Sequence, residues 1–295
     1  MKPLIADKIK PIAALAVMTV LWGYGWTALK IGLIDADPFQ FTAVRMSLSA
    51  VFLLLILAIT GRSFLPKRIP ELIGLGLVQT SLLFTLSTCA VNLGTAGRIA
   101  FLVYTMPFFT IVLARTLLGE TIVGLQWVAI GFAGAGLLAI LEPWAFTDNS
   151  YGNLLGVSAG AVWAISVIMV KKMQEREPMD LISMTAWQMT FGSIPLFFIA
   201  HQVDENPITW SLRFIIVLAI IAVVITGFGW LLWVYALDKL EAGTASLITL
   251  ASPVIAIFTS AIHLGESPTN LEAAGMLLIT IALIFLGIHA TKATK

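Results

Sequence analysis

The sequence predicts an all-α integral membrane protein with ten transmembrane helices, arranged as two inverted five-helix repeats. Three observations predict this fold class: the composition, ten long apolar segments, and a repeat between the two halves. Of the 295 residues, 59% are apolar and 11% are charged, whereas soluble domains are about half apolar and about a quarter charged. So few charged residues cannot cover so much apolar surface in water, so we expect a lipid bilayer to solvate the chain.

Ten segments are long and apolar enough to cross a bilayer, which takes roughly 17 to 25 residues of helix. The first segment is too long for the core of a cleaved signal peptide, and no small-residue cleavage site follows it, so we expect it to be retained. The connections between segments are short and hold most of the charge. The predicted spans are residues 11–33, 38–60, 69–91, 97–117, 122–142, 150–171, 179–200, 211–237, 243–263 and 269–289.

The distribution of basic residues predicts the orientation of the spans, because Lys and Arg are enriched in cytoplasmic loops. If the N-terminus lies in the cytoplasm, thirteen of the seventeen Lys and Arg residues fall on the inner side. The outer loops then hold Arg98 and Arg213 as their basic residues, together with acidic residues such as Asp35 and Asp37. Ten spans return the chain to its starting side, so we expect both termini to be cytoplasmic.

The two halves of the chain repeat one another. Residues 96–121 align with residues 242–267 at an offset of 146, and the earlier spans align at offsets of 141 to 143. Each repeat, 1–145 and 146–295, holds five predicted spans, so the second must cross the membrane in the opposite sense. Such inverted repeats usually belong to transporters that alternate access around a midplane site. The aligned pairs include Trp22 with Trp163, Arg45 with Gln188, Gly97 with Gly243, and Pro107 with Pro253.

Together these features resemble the EamA-type permeases of the drug/metabolite transporter superfamily. The resemblance covers nearly the whole chain. It depends on the Trp22-Gly23 pair with the trailing Lys30, on Arg45, on two Pro-x11-Gly-Glu units, on the repeat and on the ten spans. It implies a multi-pass transporter of the inner or plasma membrane, often an exporter, with a central cavity lined by both halves. It leaves the cargo open, because members of this family carry amino acids, other metabolites and cations.

An aromatic stretch within the first span is the first candidate for a cavity wall. Trp22, Trp26 and Lys30 follow one another at steps of four, which puts them on one slowly drifting stripe of a helix. Tyr24 lies two positions off that stripe and is a further candidate. Trp22 and its partner Trp163 lie near the middle of their spans, where lipid offers no acceptor for an indole N–H. We predict that these aromatics line a central cavity, with tight helix packing as the alternative.

Arg45 is the second candidate, about seven residues into its span and so about 10 Å deep at 1.5 Å per residue. Its guanidinium stays charged, and its repeat partner Gln188 is neutral, so the fold does not require a charge here. We predict that Arg45 faces the bundle interior and binds the cargo. The alternative is snorkelling toward the outer acids. Lys30 ends the first helix, where it either binds cargo or reaches Asp35 and Asp37.

Two symmetry-related prolines interrupt the predicted fourth and ninth spans. A proline inside a helix removes a backbone hydrogen bond and kinks the helix. We predict a hinge or gate at these places, with a static kink as the alternative. The Gly-Glu pair that follows each proline predicts a helix stop at the glycine and a new helix from the glutamate. The hinge or gate candidates are Pro107, Pro253, Gly97 and Gly243.

Other polar and aromatic residues within the spans are secondary candidates for the cavity wall, with packing between helices as the alternative. The spans contain no paired Asp, Ser/His pair or His/Glu cluster, so we expect no enzyme, no cofactor and no metal site. The net charge of +1 predicts no nucleic-acid partner. Two fused repeats already form a complete pair, so we expect a monomer in the bilayer. The secondary candidates are Gln79, Thr80, Tyr104, Gln188, Trp230, Trp233, Thr249 and Ser252.

The charge of the spans favours an anionic cargo. None of the ten predicted spans has an Asp or Glu near its centre, whereas an exporter of organic cations usually needs a carboxylate in the membrane. A buried Arg45 instead favours a carboxylate held by charge-assisted hydrogen bonds. We therefore predict a secondary transporter that exports amino acids or other carboxylate-bearing solutes by alternating access. The alternative is an exporter of organic cations held against aromatic faces.

Overall fold

The computed structural model describes residues 5–119, 121–142, 150–203, 206–239 and 251–293, and every regular element in this part of the chain is helical. The helices are α1 Ile5–Gly32, α2 Pro38–Ile59, α3 Ile69–Leu75, α4 Leu83–Leu93, α5 Ala96–Val103, α6 Met106–Leu118, α7 Leu125–Leu141, α8 Ser150–Arg176, α9 Leu181–Val203, α10 Leu212–Ala219, α11 Gly229–Lys239, α12 Ser252–Leu264 and α13 Asn270–Ala293. Two π-helical segments, Gly76–Leu82 and Ile220–Phe228, join α3 to α4 and α10 to α11.

Seven helical stretches of the described chain are long and apolar enough to cross a membrane, and three shorter apolar helices accompany them. Large side chains on the outside of the bundle are apolar: Phe198, Leu212 and Ile262 are 71%, 74% and 77% exposed. Such a surface suits a lipid solvent. The described part of the chain therefore has the helices and the apolar surface of a membrane protein, while the count of ten spans stays a prediction. The seven stretches are Lys10–Gly32, Pro38–Ile59, Ile69–Leu93, Ala96–Leu117, Ser150–Arg176, Leu181–Val203 and Leu212–Trp233.

Helices of the first half pack mainly against helices of the second half. α2 packs along α9, and α7 packs along α13. α1 contacts both α11 and α12, and its counterpart α8 contacts both α4 and the pair α5 and α6. Exchanging the two halves turns the contacts of α1 into those of α8 and leaves the α2–α9 and α7–α13 contacts as they are. This is the packing pattern that two structurally similar halves produce.

The two π-helical segments occupy matching places in the two halves. In a π-helix the backbone bonds skip one residue more than in an α-helix, as when the Leu83 amide donates to the carbonyl of Val78. A side-chain hydrogen bond joins each segment to a helix of the other half. The hydroxyl of Ser49 donates to the carbonyl of Ala222 at 2.8 Å, and the hydroxyl of Ser81 donates to the carbonyl of Gly192 at 2.5 Å. These segments therefore tie α2 and α9 to the rest of the bundle.

The predicted proline kinks are interruptions between helices. The fourth span breaks at Tyr104 and Thr105, and Pro107 lies in the first turn of α6, where its missing N–H is not needed. Pro253 holds the same place in α12. Gly97 packs closely on α12, because a Cβ there would lie 3.1 Å from the Cα of Ile257. Gly243 lies outside the described residues, as does the start of the ninth predicted span, and the hinge or gate role stays a prediction.

The predicted helix stops are confirmed, but the predicted restarts are wrong. Gly119 and Gly265 end α6 and α12 with φ of 72° and 67°, a left-handed conformation that glycine adopts without strain. The next helices begin only at Leu125 and Asn270 rather than at the glutamates. Thr269 explains the later start of α13, because its hydroxyl accepts the Glu272 amide while Glu272 accepts the Thr269 amide. This reciprocal cap outweighs the local signal of the Gly-Glu pair.

The contact of α9 with the first π-helical segment yields the first testable prediction. A Cβ at Gly192 would lie 2.5 Å from the Cβ of Thr80, so Gly192→Ala should destabilise the protein by about 1–3 kcal/mol through overpacking. Gly131→Ala is the matched control, because a Cβ there meets nothing within 4 Å. Thermal unfolding of the detergent-purified variants checks this: Gly192→Ala should lower the midpoint and Gly131→Ala should not. Equal midpoints would contradict the close helix contact.

Candidate functional site

A partly open cavity lies between helices of the two halves. Its wall takes side chains from α1, α2, α4 and α8, from the end of α5, and from the second π-helical segment with the start of α11. The structure thus brings together residues that the sequence places in six different spans. Six of the predicted binding residues lie on this wall: Trp22, Trp26, Arg45, Tyr104, Trp163 and Trp230.

Arg45 reaches the cavity from α2 and is 8% exposed. Its Nε and Nη2 donate to the hydroxyl of Thr226 at 3.2 and 3.0 Å. Its guanidinium carbon lies 5.1 Å from the centre of the Phe84 ring, within cation–π distance. Arg45 forms no ion pair with a carboxylate of the described chain. Snorkelling toward the outer acids is the wrong interpretation, because the guanidinium bonds to Thr226 within the bundle. Asp35, one of those acids, pairs with Arg213 at 2.7 Å.

Trp22 is fixed by a hydrogen bond as well as by packing. Its indole N–H donates to the carbonyl of Ile225, in the second π-helical segment, at 3.1 Å. Its ring packs against those of Trp230 and Trp233, with centroids 5.7 and 6.2 Å away. Gly229 makes room for the indole, because a Cβ there would lie 2.6 Å from Nε1 of Trp22. Trp22 therefore both lines the cavity and packs helices together. The sequence left these two roles as alternatives.

Tyr104 and Trp163 form another aromatic pair on the wall. Their rings meet edge to face at 5.7 Å, an arrangement that aromatic quadrupoles favour. The predicted candidate Ser252 does not line the cavity. Its hydroxyl donates to the carbonyl of Thr19 at 3.1 Å, which joins the first turn of α12 to α1.

Lys30 lies outside the cavity wall. Its ammonium donates to the carbonyls of Val91, Asn92 and Gly94, at 2.6, 3.3 and 2.7 Å. These carbonyls lie at the end of α4, where an α-helix leaves carbonyl groups unpaired and a lysine can bind them. The predicted contact of Lys30 with Asp35 or Asp37 is therefore wrong: the lysine caps a neighbouring helix.

Three more predicted binding residues lie away from the wall. Tyr24 packs edge to face on His263 at 5.7 Å, because it is rotated off the Trp22 stripe. Gln79 and Gln188 are 4% and 1% exposed, enclosed by the bundle. The Gln188 Oε1 and the hydroxyl of Thr80 have no hydrogen-bond partner within the described chain. The half that carries Gln188 therefore lacks an equivalent of the Arg45 contact, and Thr249 lies outside the described residues.

The sequence did not single out Thr226, Phe84 and Ser87, which also lie on the wall. The repeat could have identified Thr226, because it aligns with the candidate Thr80 at the offset of 146. The same offset identifies Phe84 and Ser87, because they align with the candidates Trp230 and Trp233. In the part of the chain that the structure describes, no group of three or more His, Cys, Asp or Glu side chains could hold a metal ion.

Comparison with known proteins gives a consistent match across the chain. A model of the EamA-like transporter family matches residues 9–142 and again residues 150–288. The chain is 28% identical to the uncharacterized transporter YoaV of Bacillus subtilis, covering 92% of this chain and 94% of that protein. It is 27% identical to a probable amino-acid metabolite efflux pump of Escherichia coli, covering 95% and 96%. A solved crystal structure, 14% identical, aligns with a TM-score of 0.68 over 97% of this chain and 99% of that chain, which shows the fold alone.

The position of Lys30 yields the second testable prediction. Lys30→Met leaves three helix-end carbonyls without their charged donor, and we expect a loss of about 1.5–3 kcal/mol because bonds to a charged group contribute about that much. Lys172→Met, at an exposed position of α8, is the matched control. The apparent melting temperature in detergent should fall for Lys30→Met alone. A stable Lys30→Met protein would remove the capping role.

Proposed function

The chain belongs to the EamA-like transporter family, and from this premise we propose that it exports small metabolites that carry a carboxylate. Family membership makes the chain a membrane transporter. The cargo, the direction and the mechanism are our proposal. Two relatives, from Escherichia coli and Salmonella typhimurium, are named probable amino-acid metabolite efflux pumps. Their names support export of small metabolites related to amino acids.

The observation that carries the proposal is the environment of Arg45. Enclosing a charged group costs several kcal/mol unless a partner compensates. Here the compensating groups are one hydroxyl and one aromatic ring, both neutral. The third guanidinium nitrogen, Nη1, makes no hydrogen bond within the described chain, and it is not fully buried. It therefore faces accessible space, where a carboxylate is the ligand that a guanidinium binds best.

Alternating access is the proposed mechanism, with ten spans in two inverted repeats and both termini in the cytoplasm of an inner or plasma membrane. The reciprocal packing of the two halves supports it, as do the matching π-helical segments and the matching helix starts at Pro107 and Pro253. Rocking of one half against the other would expose the cavity to one side at a time. Arg45, Trp22, Trp26 and Tyr104 would then hold the cargo in both states.

Export of organic cations is the second candidate, because the wall is rich in aromatic faces that attract cations. A cation in this cavity would lie close to the Arg45 guanidinium, which is permanently charged. Repulsion between two like charges in a low-dielectric site is strong. The same cavity therefore favours the anionic cargo.

Transport by variants of Arg45 is the third testable prediction. In proteoliposomes, counterflow of a labelled carboxylate-bearing solute should fall at least about tenfold in Arg45→Met, because the buried charge-assisted contact is lost. Arg115→Met, at an exposed arginine of α6, is the control and should keep wild-type flux. A panel of amino acids, organic acids and quaternary amines identifies the solute. Flux of a quaternary amine that is unchanged in Arg45→Met would overturn the anionic cargo.

The membrane topology is the fourth testable prediction. On a Cys89→Ser background, we place one cysteine at a time at the exposed loop positions Ser63 and Pro207. The proposed orientation puts Ser63→Cys in the cytoplasm and Pro207→Cys outside. In whole cells, a membrane-impermeant maleimide should therefore label only Pro207→Cys, and permeabilised cells should give labelling of both. Labelling of both in intact cells, or of Ser63→Cys alone, would contradict the proposed orientation.

A further inference from the structure

We infer that the cargo is a monocarboxylate with an apolar body and without an ammonium group, such as an N-acylated amino acid, a 2-oxo acid or an aryl carboxylic acid. This inference rests on the proposed function and narrows its substrate class. Three properties of the cavity lead to it: its charge, its hydrogen-bonding groups and its apolar wall.

The charge of the wall matches one negative group. Arg45 is the one charged side chain among the lining residues that the structure describes, and its partners Thr226 and Phe84 are neutral. A single carboxylate neutralises it. A zwitterion would bring its ammonium to within a few ångströms of the guanidinium that holds its carboxylate, between the same apolar walls. Like charges repel most strongly where water is excluded.

The hydrogen-bonding groups of the wall are mostly donors. Besides Nη1 of Arg45, the indole N–H groups of Trp26, Trp163 and Trp230 make no hydrogen bond to any part of the chain that the structure describes. An indole nitrogen can only donate. Such donors suit carboxylate, ketone and amide oxygens, all of which accept.

The side-chain acceptors of the wall are few: the hydroxyls of Ser87, Tyr104 and Thr226. The hydroxyl of Thr226 already accepts two bonds from Arg45. The hydroxyl of Ser87 donates to the carbonyl of Leu83 at 2.8 Å and keeps its lone pairs. The three N–H groups of an ammonium would therefore compete for few acceptors, and an unpaired polar group in an enclosed site costs affinity.

The rest of the wall is apolar and aromatic. Trp22 and Trp230 lie 5.7 Å apart on one part of it, and Tyr104 and Trp163 lie 5.7 Å apart on another. Flat faces at several angles favour a ring or a branched chain, whose burial contributes in proportion to apolar area.

Four probes that share a phenyl ring test the inference: phenylalanine, N-acetylphenylalanine, 3-phenylpropionate and phenethylamine. Affinities for the purified protein are measured by quenching of tryptophan fluorescence, and flux is measured by competition in counterflow with protein-free liposomes as the blank. The two monocarboxylates should bind at least about tenfold more tightly than phenylalanine. Phenethylamine should not bind. The preference should vanish in Arg45→Met and persist in Arg115→Met.

The outcomes separate this inference from the proposed function. Phenylalanine binding as tightly as N-acetylphenylalanine, with dependence on Arg45, would overturn the inference and leave the carboxylate exporter intact. Binding of phenethylamine alone, unaffected by Arg45→Met, would overturn both. Failure of both monocarboxylates to bind at millimolar concentration would overturn the inference as well. Arg45→Lys is the second variant if Arg45→Met does not fold: it keeps the charge, so the monocarboxylates should still bind more tightly than phenylalanine.

Discussion

A guanidinium enclosed by neutral groups is the constraint on which the cavity depends. The charge of Arg45 cannot be removed by deprotonation, so its surroundings must compensate for the lost water. Thr226 supplies an acceptor for two N–H groups, and Phe84 supplies the face of a ring. Neither neutralises the charge. The cavity next to Arg45 therefore carries a positive potential inside an apolar wall, and the aromatic residues around it determine which anions can use that potential.

The second π-helical segment makes this arrangement possible. It carries Thr226, and its carbonyls accept bonds from Trp22 and from Ser49 on two different helices. Shifted backbone bonding of this kind often occurs at functional sites. The matching segment of the first half packs closely against Gly192, and within the described residues the Gln188 Oε1 and the Thr80 hydroxyl are enclosed without a hydrogen-bond partner. One fold element thus builds a cavity wall in one half and a tight helix contact in the other.

Polar groups at the helix ends serve the scaffold. Lys30 binds the terminal carbonyls of α4, and Glu266 accepts the first amide of α5. Arg98 and Glu272 form an ion pair in which both side chains are less than a tenth exposed. Lipid cannot satisfy such groups, so the protein must. Of the two conspicuous basic residues of the first spans, Lys30 caps a helix and Arg45 faces the cavity.

The sequence by itself determined the class of the protein and much of its local geometry. Residue type and local spacing predicted the apolar helices, the helix stops at Gly119 and Gly265, and the inward position of Arg45. These properties depend on the local sequence, and neighbouring helices do not change them. Only the tertiary structure decided the partners: Thr226 is 181 residues from Arg45, and Val91 is 61 residues from Lys30. It also turned Tyr24 and Gln188 away from the cavity. Such contacts depend on which helices are neighbours and on how each helix is rotated about its axis. The periodicity of a single segment specifies neither its neighbours nor its rotation.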